Sequence, residues 1–129
     1  MTASELAHQP VELSPQPSRA RQQVRDLLRE IEWEGDADEV VLAVHEALVN
    51  AQRHAGAVLR AQMSLDASSL VVMVWDTGPG FDLDFHAGRV PDPLAERGRG
   101  LWLIDRVTST CEVDRDDDGV VLVMRFDRP

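Results

Sequence analysis

The spacing of apolar positions changes repeatedly along this chain, and each change marks an element. Arg21, Val24, Leu27, Leu28 and Ile31 recur at helical intervals behind Ser18, a good N-cap residue. Gly35 is placed to end that helix in a left-handed cap. Asp36 or Asp38 can cap a second helix, predicted to run to about Ala55. In it Ala37, Val40, Val41, Val44, Leu48, Ala51 and Ala55 form one stripe, and Gly56 closes it. Val58 to Leu65 and Leu70 to Trp75 read as two strands joined by a turn at Asp66-Ala-Ser-Ser. From residue 82 to 99 no period survives, and Gly88, Pro91, Pro93 and Gly98 interrupt the segment. Leu101, Leu103, Ile104 and Val107 then predict a third helix, starting at glycines. Cys111 to Val113 and Val120 to Phe126 flank an acidic turn and predict a last hairpin.

Residues 1–17 hold three of the seven prolines, so Leu6 to Leu13 is at most an edge strand or an extension. Residues 18–129 carry the domain. Helices, hairpin, loop, helix, hairpin is the order of a layered α+β sandwich.

Composition narrows the chemistry. At 129 residues and 43% apolar content the chain suits one globular domain. Its longest apolar run, Leu70 to Trp75, is far too short to span a membrane, and the first ten residues lack the pattern of a signal peptide. A single cysteine, Cys111, fits a reducing compartment, so the cytoplasm is expected. A net charge of −10 argues against direct nucleic-acid binding and is compatible with a basic protein partner. Every fixed cation is arginine; without lysine, a GxxxxGK[ST] phosphate loop, a lysine-strand kinase and Schiff-base chemistry are all excluded.

Three polar stretches remain. Glu46, Asn50 and His54 recur every four residues on the second helix, on the side opposite its aliphatic stripe, with Arg53 beside them. A solvated helix face is the ordinary account. The chemical one is a carboxylate able to take a proton, one turn from an amide able to complete a Mg²⁺ shell. Asp76-Thr-Gly-Pro-Gly follows a strand. A plain turn would resume a strand at once, whereas this loop continues for some twenty residues. A carboxylate there suits an exocyclic amine, and glycines let a flat ring or a phosphate chain approach the backbone. Gly98-Arg-Gly100 opens a helix whose first N–H groups attract anions, with Arg97 and Arg99 at hand.

Taken in order, HEALVNAQRHA (45–55), DTGPGF (76–81) and RGRGLWLID (97–105) resemble the N, G1 and G2 boxes of the GHKL, or Bergerat-fold, ATPases. Within these the chain looks like the small bacterial anti-sigma-factor serine kinases, from about Ser18 to Phe126. That resemblance implies about three helices on a mixed, mostly antiparallel sheet, and a cytoplasmic ATP-dependent kinase. Its cofactors would be ATP and Mg²⁺, its partners a sigma factor and a small antagonist protein, and a homodimer is common. Asp76 would accept from the adenine amino group in a pocket shaped by Gly78 and Gly80. Asn50 would hold Mg²⁺, Glu46 would be the general base, and Arg53 and His54 would lie beside the phosphates. Residues 82–97 would be the lid, and Gly98, Arg99, Gly100 and Leu101 would bind phosphates at the helix start. One departure is visible: the family often has Gly-Thr where this chain has Gly119-Val120.

Other readings compete. A nucleotide-binding partner-switching module without turnover fits the same motifs. The ATP domain of a detached sensor histidine kinase fits less well, because only about seventeen residues precede the first helix. An α+β interaction domain without nucleotide must treat three ordered motifs as coincidence. DRDDDG (114–119) begins like a calcium loop, but its twelfth position is Arg125 and its flanks read as strands. His8, His45 and His86 read as surface histidines, Cys111 as a packed small hydrophobe, and Trp33, Trp75 and Trp102 as core or pocket-rim residues.

Overall fold

A computed structural model describes residues 6, 9–55, 58–76, 99–116 and 119–129. Its elements are β1 (Val11–Leu13), α1 (Pro17–Glu30), α2 (Ala37–Ala55), β2 (Val58–Leu65), β3 (Ser69–Asp76), α3 (Arg99–Val107), β4 (Thr110–Asp116) and β5 (Gly119–Asp127). The strands form one sheet in the order β1-β2-β3-β5-β4. The resemblance implied a mixed, mostly antiparallel sheet, and all four pairings among the described strands are antiparallel. β5 runs antiparallel to both β3 and β4, so the connection through α3 links two parallel strands across the one that separates them.

Alternation divides the sheet into two faces. Leu70, Val72 and Val74 of β3 and Leu122, Met124 and Phe126 of β5 join the core under the helices. From α2 the core takes Val40, Val41, Val44, Leu48 and Ala51 as the periodicity predicts, with Ala43 and Ala47 besides. From α1 it takes Val24, Leu27 and Leu28, plus Ala20; Arg21 is exposed. Leu6 is fully buried in the same core. On the other face Trp75 is nearly buried, with the Arg60 guanidinium 4.9 Å above its ring.

The helix ends correct two expectations. α1 begins two residues earlier than a Ser18 cap implies, at Pro17, behind Gln16, which makes no side-chain cap; Ser18 lies inside the helix. Proline is favoured at that first position because its missing N–H would have no partner there. At the other end the helix stops at Glu30, and Gly35 is not its cap. Glu32 takes the left-handed conformation, φ 53°. Its N–H donates to the Arg29 carbonyl at 3.2 Å, and the Trp33 N–H donates to the Leu28 carbonyl at 2.9 Å. These two bonds make a Schellman motif, with a glutamate where glycine is usual. Glu32→Gly is expected to raise stability by about 0.5–1 kcal/mol, since it relieves that φ; urea denaturation measures it. Gly35 has a different task. A Cβ there would lie 2.6 Å from Nε1 of Trp33, so the indole sits directly on its Cα.

Asp36 does cap α2: its carboxylate accepts from the N–H groups of Asp38 at 2.9 Å and Glu39 at 3.3 Å. Asp66 does the same for the β2–β3 turn, accepting from the N–H groups of Ser68 at 2.9 Å and Ser69 at 2.7 Å and from the Ser69 hydroxyl at 2.9 Å. Arg125 of β5 adds an ion pair at 3.1 Å. The Ser68 and Ser69 hydrogen bonds, with a smaller contribution from Arg125, hold this carboxyl at about 2, below its ordinary 3.8. Because folding lowers this pKa, the stabilisation is complete above about pH 4 and is lost as pH falls through about 2. The thermal-midpoint gap between the native chain and Asp66→Asn should therefore close on acidification. A gap constant from pH 7 to pH 2 would contradict it.

Candidate functional site

Connectivity gathers the polar motifs at one end of the sheet. Only two residues separate the end of α2 from β2, whose first residue Val58 pairs with Asp76, the last residue of β3. On its other side Asp76 pairs with Val120 at the start of β5. The segment leaving Asp76 returns to the described residues at the start of α3. At the opposite end of the sheet, two clefts of about 140 and 250 Å³ flank Trp33, among Ile31, Leu65 and Arg128 on one side and Arg25, Leu28 and Ala37 on the other.

Asp76 is only 7% exposed. A central strand paired on both sides carries it there, and alternation places it on the helix-covered face with Val74 and Val72. Val120, directly opposite and also buried, gives this neighbourhood an aliphatic wall where the resemblance anticipated a threonine hydroxyl. Trp75, although adjacent in sequence, belongs to the other face.

The Glu46-Asn50 arrangement differs from the solvated face that the spacing suggests. Asn50 is 9% exposed, and Glu46 is half-buried. α3 packs on α2, and the two residues stand one turn apart along it. Arg53, further round, is exposed. Among the described residues the Nδ2 atom of Asn50 is buried without a hydrogen-bond partner. An amide nitrogen and oxygen exchange places by a flip, so this side chain can offer an oxygen to a cation or an N–H to a phosphate oxygen. Among the described residues no three His, Cys, Asp or Glu side chains form a metal cage.

The third motif meets the first. Gly100 is in the first turn of α3, and a Cβ on it would fall 2.9 Å from Oε2 of Glu46. Sequence reasoning missed this contact, since fifty-four positions separate the two residues. Leu101 puts its side chain in the core, so any contact it makes with phosphate comes from its backbone. Arg99 opens α3 and His54 lies in the last turn of α2; their side chains are outside the described residues. Gly78, Gly80, Gly98 and the loop at 82–97 are outside them as well.

Residues set aside from the sequence fare variously. Cys111 is half-buried, and burial, reinforced by Asp105 and Glu112, pushes its thiol up to about 12, so it is no nucleophile at neutral pH. Asp114 and Arg115 lie on β4, paired with β5, as a hairpin reading requires. His45 is not a surface histidine: it is half-buried, and its Nδ1 is buried without a partner among the described residues. Among the described residues no helix is long and apolar enough to cross a membrane.

The three described helices layer on a five-stranded antiparallel sheet in an α+β sandwich, with the polar motifs at one end. Residues 10–126 match the family model described as the histidine kinase-like ATPase domain, and the chain belongs to that family. Among solved structures it is similar to the nucleotide-free catalytic domain of the histidine kinase ThkA. That match has a TM-score of 0.60 at 15% identity and covers 93% of this chain and 96% of that one. At such identity the likeness concerns the fold. No curated protein matches this chain significantly.

Proposed function

We propose that this domain binds Mg-ATP and transfers the γ-phosphoryl group to a serine hydroxyl of a small partner protein, as an anti-sigma regulatory kinase. One observation carries the reading: Glu46 reaches the start of α3, and one turn along α2 stands the buried Asn50, whose Nδ2 has no partner among the described residues. In this reading Asp76 accepts from the adenine amino group, and the N–H groups of Gly98, Arg99, Gly100 and Leu101 face the phosphates. Asn50 holds Mg²⁺, and Arg53 and His54 stand near the phosphates. When bound, the metal neutralises phosphate charge; the protein's share is positioning and one proton. Glu46 takes that proton from the incoming hydroxyl. The choice of acceptor follows from this base. A serine hydroxyl must lose its proton to become a phosphoester, whereas a neutral imidazole attacks through a free lone pair.

Partner choice is argued from charge. A surface at −10 favours a basic patch on a sigma factor and disfavours direct contact with nucleic acid. A homodimer belongs to the same reading, and the cytoplasm is its compartment. The likeness to a histidine kinase catalytic domain supports the rival, an ATP domain serving a histidine. A module that binds ATP without turnover is the other alternative.

The deciding experiment incubates the protein with γ-labelled Mg-ATP and candidate antagonist proteins. Label on the antagonist that survives acid and is lost in base is phosphoserine and supports the proposal. Acid-labile label is phosphohistidine and supports the rival. Calorimetric ATP binding without label on any protein leaves the module without turnover.

A further inference from the structure

We infer that Gly100 is a positioning residue for Glu46: it is glycine so that the Glu46 carboxylate can lie against the first turn of α3. This deepens the proposed function and rests on it, because it concerns the group assigned there as the base. Glycine inside a helix is unfavourable relative to alanine, so its presence needs a cause. Backbone conformation is not that cause. Among the described glycines only Gly119 has a positive φ, so any residue could adopt the backbone of Gly100. Space is the cause that the geometry supplies. A Cβ at position 100 would meet Oε2 of Glu46 at 2.9 Å, then Cβ and Cδ of the same side chain at 3.8 and 3.9 Å. The three nearest neighbours of that vacant position thus belong to one residue.

Electrostatics points the same way. The first turn of α3 contains no acidic residue of its own. Carboxylates are favoured at a helix N-terminus, and Glu46, half-buried on α2, brings one there from another element. One turn further along α2 stands Asn50 with its buried Nδ2, unpartnered among the described residues. The helix start therefore orients the carboxylate from the same side that would face phosphate. Nucleotide binding and base placement then share one backbone segment.

The contact also makes the test selective. The atom nearest to the vacant position is the free end of a flexible side chain, so Gly100→Ala can fold normally and displace mainly that carboxylate. The experiment compares the full chain with Gly100→Ala, Glu46→Asp and the double variant. Mg-ATP affinity is read by calorimetry and phosphate release at saturating Mg-ATP by a continuous assay. Gly100→Ala keeps the backbone N–H assigned to phosphate but displaces the carboxylate, so it should slow release about ten- to a hundredfold and by more than it weakens affinity. In the Glu46→Asp background, where the shorter side chain retreats from position 100, adding Gly100→Ala should change release by less than about threefold.

Additive losses in the double variant would overturn the inference, as would a Gly100→Ala defect confined to affinity, which would assign the glycine to phosphate. If the native chain binds Mg-ATP without releasing phosphate, the ¹³C-carboxyl resonance of Glu46 replaces release as the readout. A shift in Gly100→Ala then supports the contact and an unchanged resonance overturns it. Failure of the native chain to bind Mg-ATP at all overturns the proposed function, and this role with it. Binding that persists while the cycle is additive overturns this role alone.

Discussion

Asp76→Asn is expected to weaken Mg-ATP binding by about 30- to 150-fold while leaving the fold intact. The substitution is nearly isosteric and keeps one carbonyl oxygen, but it removes the charge and can turn an NH₂ group toward the base. Hydrogen bonds involving a charged group contribute about 1.5–3 kcal/mol each, and the expected loss corresponds to the upper part of that energy range, about 2–3 kcal/mol. The effect should be concentrated here because Asp76 is 7% exposed and Val120, its cross-strand neighbour, offers no second polar contact. Calorimetry is the appropriate measurement. Trp75 is on the opposite face of the sheet, under Arg60, so its fluorescence reports this pocket only indirectly. A variant that binds Mg-ATP like the native chain would mean that Asp76 does not hold the base.

Leu48→Ala is expected to cost about 3 kcal/mol of folding stability, within the usual 2–5 kcal/mol for emptying a buried leucine site. Leu48 is fully buried on α2, midway between Glu46 and Asn50 in sequence, and it belongs to the core shared by helices and sheet. Its neighbours come from several rigid elements, so the cavity should collapse only in part. For a domain of this size the thermal midpoint should fall by roughly 10 °C. Differential scanning calorimetry would show it. A loss below about 1 kcal/mol would mean that the core under α2 repacks freely, and that α2 is a less rigid base for the polar flank than its burial indicates.

The second prediction depends on α2 carrying two kinds of information at once. Its apolar positions fix how it lies on β2 and β3, and that orientation decides where Glu46 and Asn50 can point. A perturbation that rotates the helix by a few degrees would move a carboxylate and an amide together. Stability and site geometry are thus coupled through one element, so substitutions beneath it should be checked for ATP affinity as well as for melting temperature.

Much of this protein is legible in its sequence for a local reason. Period, punctuation and capping chemistry act within one or two turns, and Val58–Leu65 and Ala37–Ala55 end where alternation and the Asp36 cap say they should. Asp76 at a strand end and Gly100 at a helix start were also visible as positions, because both are fixed by their own elements. The order of helices and strands determined the layered architecture, since each element has one apolar side to bury.

Tertiary structure decided the rest. At the end of α1 Glu32 and not Gly35 took the left-handed turn, while Gly35 lies under the indole of Trp33. Asn50 reads as part of a polar helix face in sequence and is buried in the fold, where α3 packs on α2. Val120 became the neighbour of Asp76 only when β5 inserted between β3 and β4. Gly100 came to lie against Glu46 by the same kind of long-range closure. Local spacing encodes which face of an element is apolar. Which polar groups face one another depends on how separate elements close around a common core, and no window of sequence contains that information.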